Sequence, residues 1–236
     1  MKLLVYKDKL ITEKEILRLQ SDFTKIYSGT AGITPEFIVE DYDYTEYPTY
    51  LDSDGDGLIT VDYLTKLTNA AFNKYANAVD HIIVLIHRDN WKLPGLWGTN
   101  FSNIYREYHV QICRFDNKNA ANSLGTLYHE VHHSHDALIK TMLGVDINPI
   151  VGVKSWDTDV THGGRTYGGH AKWKYIRYNE NLEALAIIAP YLRDAYKKRR
   201  DLYTNKTTLM KQVITLAQRY LTLLRARQNK KDGVVQ

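Results

Sequence analysis

Apolar and polar positions in the first half of the chain follow two different periods. Short apolar or alternating runs predict three β-strands, namely MKLLVY, HIIVLIH and YREYHVQICRFD. Helical spacing predicts two amphipathic helices, TEKEILRLQSDFTKIYS and TVDYLTKLTNAAFNKYANAV. Thr12, with Glu15 three residues later, forms a capping box that opens the first helix. The segment ITPEFIVEDYDY is predicted to be extended, and the Gly- and Pro-containing WKLPGLWGTN to be a loop.

The second half of the chain contains the longer helical patterns. A helix is predicted from about Ser123 to about Met142, with Asn122 or Ser123 as its N-cap and Gly144 as its stop. Residues 145–172, which hold two pairs of glycines, are predicted to form a loop.

Two more helices are predicted toward the C-terminus. The first is NENLEALAIIAPYLRDAYKKRR, in which Pro190 predicts a kink or a break, and the second covers about residues 206–228. Strands followed by helices indicate an α+β fold. We therefore predict an N-terminal α+β lobe over residues 1–143. A loop and helical C-terminal lobe follows over residues 144–236, and the two lobes form one unit.

Composition restricts the kinds of site that the chain can form. Of its 236 residues, 44% are hydrophobic, which is typical of a folded globular protein. Cys113 is the only cysteine, so an internal disulfide and a cysteine metal cluster are both excluded. The sequence shows no standard secretory signal and no apolar run of about 18 residues. The default expectation is a cytoplasmic protein, although release by lysis or by a dedicated export machine leaves no such mark.

Basic residues are concentrated at the C-terminus. Residues 191–236 carry 12 Lys and Arg against 3 Asp and Glu, a net charge of +9 in a chain whose total is +4. Such a segment can attract nucleic acid, an anionic wall polymer or a membrane. The alternative interpretation is a helix face that is simply solvated.

Four histidines lie between His129 and His135, on the helix predicted after the third strand. Around a helix, Leu127, Tyr128, Val131, Leu138 and Met142 share a direction with Leu124, which predicts a core stripe. His129 and His133 point to the opposite side, one turn apart. Two imidazoles at this spacing can share one zinc ion, at about 2.0–2.1 Å from each nitrogen. Glu130 lies beside them and can act as general base without binding the metal.

The remaining polar residues of this helix point elsewhere. His135 is predicted to be a core histidine and His132 a residue of the surface or the flank. Asp136 lies on the side of the metal pair, one turn beyond His133, where a carboxylate can orient a ligand imidazole.

The residues His129-Glu130-Val131-His132-His133 form an HExxH motif. On this motif the chain resembles the zincin metallopeptidases, and the resemblance covers about residues 80–190. It implies a small mixed sheet whose edge strand pairs with an extended substrate beside the HExxH helix. YREYHVQICRF would be that edge strand.

The resemblance also implies a third protein ligand for zinc. Asp136 and Ile139 stand where the long metzincin motif has Gly and His, which excludes that branch. The chain is more similar to the gluzincins, in which a glutamate on a later helix completes the site. Glu180, preceded by Asn179 in NENLEALA, is the expected ligand, and Glu183 is the alternative. Since zincins use a Tyr or a His to stabilise the oxyanion, Tyr167 and His170 are the expected residues for that role.

A second metal site is predicted in LDSDGDGLITVDY. Asp52, Asp54 and Asp56 match the first three ligand positions of an EF-hand loop. Tyr63 occupies the twelfth position, where a bidentate Glu is usual. The calcium that we expect here would stabilise a loop, and the alternative is a plain Asp/Gly turn.

These patterns predict a zinc-dependent metallopeptidase that hydrolyses peptide bonds in protein or peptidoglycan. The alternative is a non-enzymatic zinc- or nucleic-acid-binding structural protein with a His-rich helix and a basic C-terminal helix.

Overall fold

The computed structural model describes residues 1–42, 51, 59–75, 78–93, 97–101, 109–147, 160–162, 165–167 and 178–231. The chain forms two compact units, Met1–Tyr196 and Lys197–Gln236. The first unit contains the sheet and the candidate metal site.

A mixed five-stranded sheet forms the centre of the first unit. Its strands are β1 (Lys2–Asp8), β2 (Glu36–Tyr42), β3 (His81–His87), β4 (Gly98–Phe101) and β5 (His109–Phe115). They lie side by side in the order β2-β1-β3-β5-β4. All neighbours are parallel except β4, which runs antiparallel to β5. The predicted α+β class with a small mixed sheet is therefore confirmed.

Both faces of the sheet are covered, which explains its continuous apolar strands. Every residue of β3 is buried, as expected for a parallel strand between two layers of helix. One core cluster contains Leu3, Ile83 and Cys113 and includes residues from three helices. The other contains Leu4, Ile82 and Ile112 and packs against the helix between β2 and β3.

The helices of the described ranges are α1 (Glu13–Ile26), α2 (Val61–Tyr75), α3 (Ala120–Leu143) and α4 (Tyr178–Lys231). The capping box of Thr12 and Glu15 is present at the start of α1. A π-helical turn, Tyr27–Ala31, follows α1 and ends at Gly32, whose φ of 62° suits a residue without a Cβ. Among the described helices, none is long and apolar enough to cross a membrane.

Helix α3 ends as predicted but begins earlier. Gly144 has φ 71° and donates from its backbone N–H to the Lys140 carbonyl, which stops the helix. The predicted N-cap at Asn122 or Ser123 was wrong, because the helix begins at Ala120. The Ser123 hydroxyl instead accepts a bond of 2.7 Å from the Asp116 N–H and ties α3 to the end of β5.

The identity of the edge strand differs from the prediction. YREYHVQICRF contributes β5, which lies between β3 and β4 and is therefore an internal strand. The edge is β4, whose residues fall inside and just after the segment predicted to be a loop. Gly98 and Asn100 pair with Cys113 and Gln111, respectively. A strand of four residues is too short to show a clear alternating pattern.

Pro190 does not interrupt its helix. Helix α4 runs for 54 residues with Pro190 inside it, so both the predicted break and the separate last helix were wrong. Proline removes one backbone hydrogen bond, but the residues beside it pack into the core. Ile188, Ala189 and Leu192 are all buried, and this packing offsets the lost bond.

Two short strands form a hairpin within the segment predicted to be a loop. They are β6 (Val160–His162) and β7 (Arg165–Tyr167), and they pair antiparallel.

Candidate metal centre

The HExxH motif lies in the middle of α3, and its two outer histidines meet. The Nε2 atoms of His129 and His133 are 3.1 Å apart. Their rings are nearly perpendicular, with an interplanar angle of 87°. Both side chains are only partly buried.

Glu130 completes the only group of three potential metal-binding side chains among the residues that the structure describes. One ligand atom each of His129, Glu130 and His133 lies within 4.8 Å of the other two. Two nitrogens at about 2.0–2.1 Å from a tetrahedral zinc ion are about 3.3 Å apart. The observed 3.1 Å between the imidazole nitrogens is close to that value and is also the length of a hydrogen bond between the two rings. The pair, with Glu130, could therefore hold a metal ion.

Glu130 is much more buried than the two histidines, with 4% of its surface exposed. Burial raises the pKa of its carboxyl from an ordinary 4.5 to about 8. A cation bound beside it would lower that pKa again. In the absence of a bound cation, removal from water makes Glu130 a stronger proton acceptor than an exposed glutamate.

Edge strand β4 lies directly against the Glu130 side chain. A Cβ atom on Gly98 would lie 2.8 Å from Oε1 of Glu130 and 2.7 Å from Cγ2 of Thr126. Both distances are shorter than any normal contact, so a Cβ at this position would require the Thr126 and Glu130 side chains to shift. The absence of a side chain at Gly98 lets the strand and the carboxylate come together.

Hydrogen bonds attach the same strand to α3. The Asn100 side-chain amide donates to the Glu130 carbonyl oxygen at 2.9 Å and to the Ser134 hydroxyl at 2.7 Å. Gln111 on β5 donates to the same hydroxyl at 2.6 Å. These bonds hold the turn of α3 between Glu130 and Ser134 against two strands. Sequence reasoning missed this network, because Asn100 lay in a predicted loop and no motif contains Ser134.

We expect Gly98→Ala to displace the Glu130 side chain, because the added methyl group has no space beside Thr126 and Glu130. Overpacking of this kind typically destabilises a fold by about 1–3 kcal/mol. If the site holds zinc and hydrolyses a substrate, the hydrolytic rate should fall, while zinc content, read by atomic absorption, stays unchanged. Gly29→Ala is the matched control, because nothing lies within 4 Å of a Cβ there. Equal rates in the two variants would show that the Gly98 contact has no effect on Glu130.

The side of α3 that faces the core carries the other two histidines. His135 is fully buried, as predicted, and its Nε2 atom shares a hydrogen bond of 2.8 Å with the Tyr27 hydroxyl. The prediction that His132 lies at the surface or flank was wrong, because it is also fully buried. Its ring packs against Tyr128, Tyr27 and His135. Helix α1 covers this flank of α3, and the periodicity of α3 alone could not indicate that.

Both core histidines are held in the neutral state. Burial, followed by the influence of His109, lowers the pKa of His135 to about 3. Burial, followed by His135 and His129, lowers the pKa of His132 well below its usual range. The four histidines of the motif region therefore divide into a partly buried pair, His129 and His133, and a fully buried pair, His132 and His135.

Asp136 lies one turn beyond His133. Its Oδ1 atom is buried and has no hydrogen-bond partner in the described part of the chain. Burial, followed by the nearby Asp146 carboxylate, raises the pKa of Asp136 to about 8. Its role in orienting a ligand imidazole stays a prediction.

The two candidates for the third ligand lie at the start of α4. Glu180 belongs to the first turn of that helix, but its side chain is outside the described part of the structure. Glu183 has an exposed side chain and is not a member of the group formed by His129, Glu130 and His133.

The other predicted site residues fall largely outside the described ranges. Tyr167 ends β7, where its backbone pairs with Val160, and His170 lies outside the described residues. The predicted calcium ligands Asp52, Asp54 and Asp56 also lie outside them.

Comparison of the chain with protein-family models, with curated proteins and with solved structures finds no match.

Proposed function

We propose that the protein is a zinc-dependent metallopeptidase of the gluzincin kind. The observation that carries this proposal is the placement of the His129 and His133 nitrogens 3.1 Å apart, beside the buried Glu130 carboxylate. A structural histidine pair would not require a buried acid next to it. A hydrolase needs a general base that takes a proton from the attacking water, and the Glu130 carboxylate can supply one.

His129 and His133 would hold the zinc ion, with Glu180 as the proposed third ligand and Glu183 as the alternative. The bound ion would supply a Lewis acid that polarises the scissile carbonyl and activates water. Glu130 accepts the proton of the attacking water through its carboxylate and then donates it to the leaving amine. The close approach of Gly98 and the bond from Asn100 to the Glu130 carbonyl would support Glu130 in both transfers.

The remaining parts of the proposal rest on the sequence. Tyr167 and His170 are the candidates to stabilise the oxyanion that forms on the carbonyl. The proposed substrate is a protein or a peptide of peptidoglycan. Asp52, Asp54 and Asp56 would bind a calcium ion that stabilises their loop. The cytoplasm is the proposed default location.

Metal content and hydrolysis together test the proposal. The purified protein should contain about one zinc per chain and should cleave casein or peptidoglycan peptides in a manner that a chelator abolishes. His133→Ala should lose zinc and activity. His135→Ala is the matched control, since the same change on the buried side of α3 should lower the melting temperature but leave the metal bound. Equal zinc loss in both variants, or wild-type protein without zinc, would contradict the assignment and favour the non-enzymatic alternative.

A further inference from the structure

The C-terminal unit presents apolar side chains to solvent. Of the twelve large hydrophobic residues that are exposed in the described part of the chain, seven lie in this unit. Five of them form what we call the apolar stripe: Leu202, Leu209, Val213, Leu216 and Tyr220. Each is between 52% and 63% exposed. An apolar patch of this kind on a folded protein usually marks an interaction site.

The stripe is continuous along one side of the helix. At about 100° per residue, the other four residues of the apolar stripe lie within about 40° of Leu209 around the helix axis. Ile214 and Leu221, which are 51% and 53% exposed, extend the apolar face to one side. Gln218 lies opposite Leu209, and Arg219 lies on the other flank. The helix is therefore amphipathic, with an apolar face wider than the narrow seam of a two-stranded coiled coil.

The charge of the same segment restricts which kind of partner can bind this apolar face. Residues 197–231 contain eleven Lys and Arg and a single carboxylate, Asp201. Two copies of such a segment, placed side by side, would bring strongly like-charged surfaces together. An anionic partner would compensate the positive charge of this segment. Nucleic acid would do so as well, but its phosphates would leave the apolar face in water.

An anionic lipid bilayer meets both requirements. A basic amphipathic helix lies in the plane of the membrane, with its apolar face among the acyl chains and its cationic side chains near the lipid phosphates. Lys197, Lys198 and Arg200 are exposed just before the apolar stripe, where they can contact those phosphates. We propose that the C-terminal unit binds the surface of anionic membranes through the apolar stripe. This inference is independent of the proposed peptidase activity.

Vesicle flotation with the full chain tests the proposal. The protein should float with vesicles that contain phosphatidylglycerol and remain behind with vesicles of phosphatidylcholine alone. Binding should weaken as salt is raised, because screening reduces the attraction between Lys or Arg and lipid phosphate. Equal flotation with both vesicle types, or flotation with neither, would overturn the proposal.

Variants separate the apolar face from the charge. The double variant Leu209→Gln/Leu216→Gln should weaken flotation at least about tenfold, because burial of apolar area contributes to binding. Thr215→Asn/Gln218→Asn, away from the stripe, should bind like wild type. Circular dichroism must show the same helix content in both double variants. If Leu209→Gln/Leu216→Gln unfolds, the triple variant Lys197→Gln/Lys198→Gln/Arg200→Gln is used in its place, and the same loss of flotation is expected. Wild-type flotation by the stripe variant would overturn the proposal.

Two further outcomes would also contradict membrane binding by the apolar stripe. Sedimentation equilibrium could show a dimer that dissociates only in the Leu209→Gln/Leu216→Gln variant. In that case the apolar stripe would bind a second copy of the chain. Duplex DNA binding that exceeds vesicle binding and survives that substitution would assign the segment to nucleic acid.

Discussion

Glu130→Gln is expected to abolish hydrolysis while leaving the metal and the fold in place. Glutamine has nearly the same shape as glutamate, so it fits beside Gly98 and Thr126, but it cannot accept the proton of the attacking water. Loss of general-base function typically lowers the rate by about 10²–10⁴-fold. The measurement is the rate of peptide hydrolysis, with zinc content and melting temperature determined on the same preparation.

The control for this experiment is Glu13→Gln, an identical change at an exposed position in the first turn of α1. It should retain wild-type activity. Because the buried Glu130 carboxylate is costly to ionise, the Glu130→Gln variant should be at least as stable as wild type when both are metal-free at neutral pH. Activity above about 1% of wild type in Glu130→Gln would remove Glu130 from its proposed role.

The second large effect concerns the third zinc ligand. If Glu180 binds the metal, Glu180→Ala should remove zinc as completely as His129→Ala and abolish activity with it. Glu183→Ala should then weaken zinc binding by no more than about 10–100-fold, the range for a residue that only supports a ligand. Competition with a chromogenic chelator measures both affinities.

The same experiment can assign the ligand differently. Complete zinc loss in Glu183→Ala alone would make Glu183 the ligand and leave the proposed chemistry intact. Unchanged zinc in both single variants and in the double variant would contradict the gluzincin assignment. The third ligand would then be sought among Asp157, Asp159, His162 and His170.

The sequence predicted the parts of the site that depend on a single helix. The spacing of His129 and His133 determines that they share a side, and the structure brings their nitrogens together. The same reasoning placed His135 in the core. It failed for His132, because the burial of a flank depends on α1, a helix that lies far earlier in the chain.

Contacts between distant segments were also beyond sequence reasoning. The strand run HIIVLIH was predicted with correct bounds, because a continuous apolar run needs no knowledge of its neighbours. Strand β4 was missed, since its identity as a strand comes from pairing with β5. The approach of Gly98 to Glu130 follows from that pairing, whereas Gly98 in the sequence contributed only to the prediction of a loop.

The position of β1 inside the sheet has a consequence for biosynthesis. Leu3 pairs with Phe37 on one side and with His81 on the other, 78 residues later in the chain (81 − 3). At about 5–20 residues per second, a ribosome needs about 4–16 s to add that length of chain. During that time the apolar run Leu3–Tyr6, buried in the finished protein, has one edge without its partner. The nascent chain is therefore open to aggregation until β3 is synthesised, and we expect it to depend on chaperones that bind short apolar segments.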